Sequence, residues 1–311
     1  MKLLCHRLGQ GALVLLVVSL LTFGLLSAAG GDALATLQED PRVSPQTIAE
    51  MRRVYGLDQP WPVRYGRWVS GLAHGDLGVS LNQRLPVGVL LWPRLGRTLA
   101  LAALALLWAW LAAWLVGGWA ARRPHSWPDK LCDGLILATS STPRLALALA
   151  VLATLAASGL GNLATGAQTA AGALQWSRIL FPSLVLAVPL IAVFTAQVRE
   201  GLRTALALDF VRVARAKGLP ESTIMRRHAL RAALNPLITL SGTAWGNLLS
   251  GSLVVESVFD WHGLGGLSVE AVKTRDVPLL LGIVLVTTIF VVLTNLVADI
   301  LLLVNDPRLR Q

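Results

Sequence analysis

The apolar positions along this chain gather into long runs rather than alternating or recurring as stripes. Six runs, at about residues 8–29, 98–121, 131–158, 179–198, 237–258 and 277–304, reach membrane-spanning length. A helix needs about 20 mostly apolar residues to cross a bilayer, because inside lipid only a helix or a closed barrel satisfies every backbone N–H and C=O. The pattern predicts an all-α polytopic membrane protein of about six transmembrane helices. The fifth run is the most polar of the six, being rich in glycine and serine.

Composition agrees with that pattern. Of 311 residues, 54% are hydrophobic and 14% charged, and the mean hydropathy is +0.62. A soluble domain of this size would be far more polar. Lys and Arg in the short connections set the orientation. Lys2 and Arg7, then Arg122, Arg123 and Lys130, then the cluster from Arg199 to Arg231, then Arg308 and Arg310 fall on one side. The other side has Arg178, Lys273 and Arg275 in its short loops. Both termini are therefore expected in the cytoplasm.

The long connection at 30–94 has many arginines but also Asp32, Glu39, Asp40, Glu50, Asp58 and Asp76. Long loops cross regardless of charge. Trp92, Trp176 and Trp261 fall near the expected outer interface, and Trp119 and Trp127 near the inner one, as an aromatic belt requires. "LLSAAGGDA" after the first run could mark a cleaved leader, but this run exceeds the roughly 7 to 15 apolar residues of a signal core. An anchor is expected instead. Positive-inside bias and one basic loop explain much of the net charge of +10 without nucleic acid. Cys5 and Cys132 fall on the cytoplasmic side and imply no disulfide framework.

No catalytic signature is present: no H-E-x-x-H, no G-x-S-x-G, no paired cysteines, and His6, His74, His125, His228 and His262 are scattered. The chain is read as neither an enzyme nor a metal protein. It also lacks the G-x-x-x-x-G-K-[ST] loop that cradles nucleotide phosphates, so ATP-driven work needs a partner.

The largest expected cytoplasmic loop has "DFVRVARAKGLPESTIMRRHALRAALNP" at its centre. Leu202, Leu206, Phe210 and Val213 recur at helical spacing, with Arg203, Asp209, Arg212 and Arg215 largely off that stripe. The spacing predicts one amphipathic helix ending at Gly218, a residue type favoured past a helix end, with Pro220 suited to the first turn of a second helix. That second piece, "PESTIMRRH", is expected to project towards another protein. On charge alone the loop also suits a basic connector held against anionic lipid.

The segment "ARAKGLPESTIMRRHALRAALNP" resembles the EAA loop of ATP-binding-cassette importer permeases, specifically the branch that imports peptides and nickel. In place of Glu-Ala-Ala this chain has Arg212, Val213 and Ala214, while Gly218 keeps its place. "VYGLDQPWPVRYGRWVSGLAHGDLGVSL", "VVESVFDWHGLGGLSVEAVKTRDVPLLLG" and "NDPRLR" are similar to the family's outer loop, its last outer segment and its C-terminal signature. The resemblance covers nearly the whole chain. His262 stands where proline is usual, and "AGGDA" replaces a more usual Pro-Gly-Asp-Pro.

The resemblance implies a type I importer permease fold in a bacterial inner membrane. It divides the chain into a tail and first helix at 1–30, an outer cap at 31–96, and a core at 97–311 with a coupling loop at 199–235. Arg212, Ala214, Arg215, Lys217, Gly218, Leu219, Pro220 and Glu221 would couple this loop to an ATPase subunit. The implied partners are a second homologous permease, two ATPase subunits carrying ATP and magnesium, an extracytoplasmic substrate-binding protein and membrane lipid. No cofactor is implied for this chain itself. Beside its shielding role, the cap would help receive the binding protein, with Asp260, Glu270 and Asp276 as docking candidates.

Three further features await placement. Arg144 follows Pro143 in the third run, where a mid-span charge costs about 2.5 to 3.5 kcal/mol on insertion scales. It either pairs with a polar group on a neighbouring helix or lines a pathway and meets a substrate carboxylate; the second is the working expectation. Gly242, Gly246 and Ser250 stand at intervals of four and allow a close helix approach, in the family from the second permease. Asn295 and Asp299 lie one turn apart and suit interfacial hydrogen bonding and pairing with loop arginines. Di- or oligopeptides are the expected substrates, with glutathione-like peptides or chelated nickel as alternatives. A stand-alone channel or ion-coupled carrier is the competing class, though mid-depth carboxylates are wanting.

Overall fold

The computed structural model describes residues 2–28, 43–54, 56–160, 176–225 and 230–305. The "RRH" end of the basic loop and "DPRLR" at the C-terminus lie outside the described residues, as does the small-residue stretch after the first run.

The described residues form helices α1 (Lys2–Ala28), α2 (Pro45–Val54), α3 (Trp61–Ala73), α4 (Val87–Ala112), α5 (Gly118–Arg122), α6 (Trp127–Ser141), α7 (Arg144–Ala157), α8 (Trp176–Ala207), α9 (Asp209–Ala216), α10 (Glu221–Thr223), α11 (Leu230–Val258), α12 (Leu264–Lys273) and α13 (Val277–Asn305). A π-helical turn, Ala113–Gly117, joins α4 to α5 without a break.

Among the described residues, four segments are long and apolar enough to cross a membrane: Gly9–Ala28, Val87–Arg122, Arg178–Ala207 and Val277–Asn305. These are the first, second, fourth and sixth expected spans. The fifth corresponds to α11, a helix of 29 residues whose glycines, serines and asparagine make it more polar than the other four. The third departs from expectation. Instead of one helix through 131–158, α6 and α7 meet at a 106° bend. Thr142 is extended, at φ −108° and ψ 118°, and Pro143 follows at φ −60° and ψ 140°. Proline pushes the preceding residue out of the helical region and cannot donate to the ladder, so the helix stops there.

Residues 1–98 and 262–292 form one compact unit, and 99–261 and 293–311 another. In the first, the hydroxyls of Ser19 on α1 and Tyr65 on α3 share a hydrogen bond of 2.9 Å. Phe23 meets Tyr65 edge-on at 5.5 Å. Leu13, Leu16, Leu21 and Leu25 of α1 are exposed, as suits side chains that face lipid.

The second unit is built around α8, which runs unbroken through Pro182 and Pro189 and packs against α11, the π-helical turn, α6 and α7. One core cluster includes Leu101, Ala105, Ala148, Ile179, Leu248 and Phe259. Another includes Ala109, Ala113, Phe194, Val198, Leu202 and Leu237. Alanines recur because lipid supplies no hydrophobic drive between helices, so close backbone approach and interhelical hydrogen bonds hold them. Trp108 donates to Ser183 Oγ at 3.2 Å and Trp110 to Ser241 Oγ at 3.0 Å, each worth about 0.6 kcal/mol.

Candidate functional site

The basic loop folds as a helix, a tight turn and a short helix. At the end of α9, Gly218 N–H donates to Arg215 O at 2.9 Å and Leu219 N–H to Ala214 O at 3.2 Å. This pair of bonds is the Schellman arrangement, which satisfies carbonyls the helix leaves open. It requires a left-handed residue, and Gly218 has φ +75°. Pro220 then caps α10 from outside rather than sitting in its first turn, with φ −65° and ψ 142°; its carbonyl accepts from Thr223 and Ile224. Arg215 spans the turn to Glu221, Nε to Oε1 at 2.7 Å.

The expected single stripe does not survive. Leu202 and Leu206 pack inward, but Leu208 is extended at ψ 149° and ends the register of α8. Helix α9 restarts rotated, so Val211 and Ala214 are buried with Ile224 against Leu206. Phe210 and Val213, assigned to the buried stripe by spacing, emerge on the surface. Leu208, Phe210, Val213 and Leu219 are each between 39% and 53% exposed, beside exposed Arg212, Arg215, Lys217, Pro220 and Glu221. Arg212 pairs with Asp209 at 3.5 Å. The second piece is not wholly projecting either: Ile224 and Met225 are buried, Met225 in the core cluster of Phe194 and Leu202.

A charged knot lies at the start of α6. Asp129 Oδ1 meets Arg199 Nη1 at 2.8 Å, Oδ2 meets Arg203 Nη2 at 2.8 Å, and Arg199 also reaches Asp133 at 2.8 Å. The backbone N–H of His125 donates to Asp129 Oδ2 at 2.8 Å. The loop between α5 and α6 is thereby tied to α8, one helix break away from the turn. On sequence alone Arg199 and Arg203 belong to the basic loop, and Asp129 and Asp133 carry no assignment. The signal was present: both pairs stand at i, i+4, so each presents one face to the other.

Arg144 opens α7 just after the bend rather than sitting mid-helix. Its guanidinium lies directly over Gly251, where any Cβ would collide with it, and Nη1 donates to Asn247 O at 3.3 Å. The position is half-buried. Gly242 makes room for Ala298 and Asn295 of α13, so the close approach it permits is used by a helix of this same chain. Gly246 is half-buried and Ser250 exposed, its hydroxyl donating to Asn247 O at 3.3 Å. Asn305 on α13 also bonds to Asn235 on α11.

The docking carboxylates divide. Asp260 is exposed. Glu270 is half-buried and accepts from Gln83 Nε2 at 2.8 Å. Asp276 is fully buried; its carboxylate accepts from the Ser80 hydroxyl, from Asn82 N at 3.1 Å and from Leu279 N at 3.2 Å. It caps α13 and holds the 79–86 turn, which leaves its carboxylate no exposed surface for docking. Among the described residues, no group of three or more His, Cys, Asp or Glu is placed to hold a metal ion.

Residues 113–311 match the family model described as "Binding-protein-dependent transport system inner membrane component", and residues 1–102 match that of its N-terminal part. The chain belongs to this family. It is an importer permease of the ATP-binding-cassette class, in the dipeptide and oligopeptide branch, and a multi-pass inner-membrane protein. It is 36% identical over 296 residues to the glutathione transport system permease protein GsiC of Salmonella paratyphi A and of Salmonella typhimurium. The Escherichia coli protein of the same name is 34% identical. Each alignment covers 95% of this chain and 94% of the relative.

Proposed function

We propose that this permease forms half of a translocation pathway for short peptides, with glutathione the first candidate, and that the turn around Gly218 receives the drive from a separate ATPase subunit. The carrying observation is that this turn is exposed on one side and anchored on the other. Outside it shows Leu208, Phe210, Val213 and Leu219 among basic residues, a surface suited to a protein groove. Inside it is held by Val211, Ala214, Ile224 and Met225.

Force applied to the turn reaches α8 through Leu206, and reaches α4 through the cluster that Met225 shares with Ala109 and Phe194. The Asp129 knot relays it to α6. The bond-making chemistry belongs to the ATPase subunits, since this chain has no nucleotide-phosphate loop. In this reading the turn and both termini are cytoplasmic, a second permease completes the pathway, and a substrate-binding protein delivers cargo from outside. Glutathione, named for the relatives above, carries carboxylates that suit Arg144.

The test is mild-detergent purification of the tagged chain from its native membrane, followed by reconstitution with its binding protein. Recovery of a second permease and ATPase subunits, with ATP hydrolysis stimulated by loaded binding protein and uptake of labelled glutathione, is the expected result. A chain that purifies alone and moves substrate without ATP would overturn the reading. Stimulation by other short peptides but not glutathione would retain the architecture and reassign the cargo.

A further inference from the structure

A cavity of about 230 Å³ opens in the first unit, lined by Phe23, Leu57, Leu81, Pro278 and Leu281 together with Arg64, Arg67, Trp68 and Asp76. The two arginines stand one helical turn apart on α3. Arg64 sits over the Phe23 ring at 5.7 Å, and Arg67 crosses Gly56, at φ +63°, so closely that any Cβ there would collide with it. Neither guanidinium is in an ion pair among the described residues. Asp76, the acid in the lining, uses Oδ1 to accept from Gly78 N at 2.8 Å. Trp68 Nε1 is buried and has no hydrogen-bond partner among the described residues, an arrangement that is destabilising unless a ligand supplies the acceptor. Burial also pushes the Arg64 pKa down.

Position selects the ligand. Phe23 is near the end of the span Gly9–Ala28, and Pro278 and Leu281 begin the span Val277–Asn305. Two spans therefore end at this cavity, which places it at the bilayer boundary, where lipid phosphates lie. Trp61 and Val69, on one face of α3, are exposed, as on a helix lying in the interface. The volume is below the roughly 300–1,000 Å³ of a site that encloses a drug-sized molecule, and suits a headgroup better than a whole substrate. The wall is mostly apolar, as an entering glycerol and acyl root requires.

We propose that this cavity binds the phosphate of an anionic phospholipid, with the Arg64 and Arg67 guanidinium groups as its cations and Trp68 Nε1–H as a donor. The site anchors α3 to the outer ends of α1 and α13 and is independent of the cargo transported.

The test uses the full chain with its co-purifying subunits, stripped of lipid in detergent. It is titrated with dioctanoyl phosphatidylglycerol, dioctanoyl phosphatidylcholine and inorganic phosphate, and read by native mass spectrometry and thermal shift. The expected result is saturable binding of phosphatidylglycerol, about ten-fold tighter than phosphatidylcholine, and about ten-fold weaker in Arg64→Gln/Arg67→Gln. Arg64→Lys/Arg67→Lys should retain most of it. Equal binding of the two lipids by the wild type overturns the proposal without recourse to any variant. Competition by inorganic phosphate at equal concentration overturns it in favour of a free anion. Unchanged lipid binding in the glutamine variant, with loss of substrate-binding-protein docking, overturns it in favour of a protein carboxylate.

Discussion

Arg215 and Glu221 face each other across Gly218, with the guanidinium Nε 2.7 Å from the carboxylate. Six residues apart in sequence, they meet because the left-handed glycine reverses the chain between them. Arg215 holds the Glu221 carboxyl below its usual range, and Glu221 in turn raises the Arg215 pKa. A depressed carboxyl stabilises the fold above its unfolded pKa and loses that contribution as pH falls through the folded one. The brace is therefore complete at neutral pH and fails only in acid. Glu221→Gln should leave expression and melting nearly unchanged, because the pair is exposed and solvent-screened, yet lower the uptake obtained per ATP hydrolysed. A Glu221→Gln variant with wild-type coupling would show the brace to be dispensable.

Gly218→Val should uncouple the importer. A β-branched residue at φ +75° meets a steric cost of at least about 1–2 kcal/mol, and the turn can relieve it only by losing its two capping bonds. Basal ATPase is expected to persist while stimulation by loaded binding protein collapses, and Gly218→Asn should be milder. Normal stimulation in the valine variant would count heavily against the role given to this turn.

Asp129→Asn removes the charge shared by Arg199 and Arg203 in a position that is 8% exposed. Breaking a buried pair costs on the order of 3 kcal/mol, so the melting midpoint in detergent should drop clearly. Asp133→Asn, at a carboxylate that is 65% exposed, should do much less. Equal effects would mean that the knot is shared evenly and that Asp129 is not its centre.

Arg144→Ala should impair uptake while leaving subunit assembly intact, if the guanidinium meets a substrate carboxylate. Gly251→Ala supplies an independent route to the same end, because its Cβ would occupy the space of the Arg144 guanidinium. The two variants are expected to share a raised KM in uptake assays. Wild-type transport in Arg144→Ala would leave it as the start of a helix and nothing more.

Asp276→Ala should destabilise the cap without touching binding-protein affinity in what remains folded. Its carboxylate accepts three hydrogen bonds in a fully buried position, and charge-assisted bonds of that kind are worth about 1.5–3 kcal/mol each at most. Limited proteolysis of the 79–86 turn would read the loss.

The sequence by itself determined the features in which one stretch of chain answers to its own surroundings. Apolar length maps directly onto four spans because lipid tolerates no unsatisfied backbone. The turn at Gly218 was legible because a left-handed helix end admits few residues but glycine. Tertiary structure decided the rest. Thr142–Pro143 held the signal for the bend in the third span, but overall hydropathy masked it. Leu208 breaks the helix with no residue-level warning, which turned Phe210 and Val213 outward and Val211 and Ala214 inward. Gly242 chose a helix of its own chain, and Asp276 found Ser80, 196 residues away. Spacing along a chain records which face a residue occupies while the helix lasts; what that face meets is set only when distant segments pack.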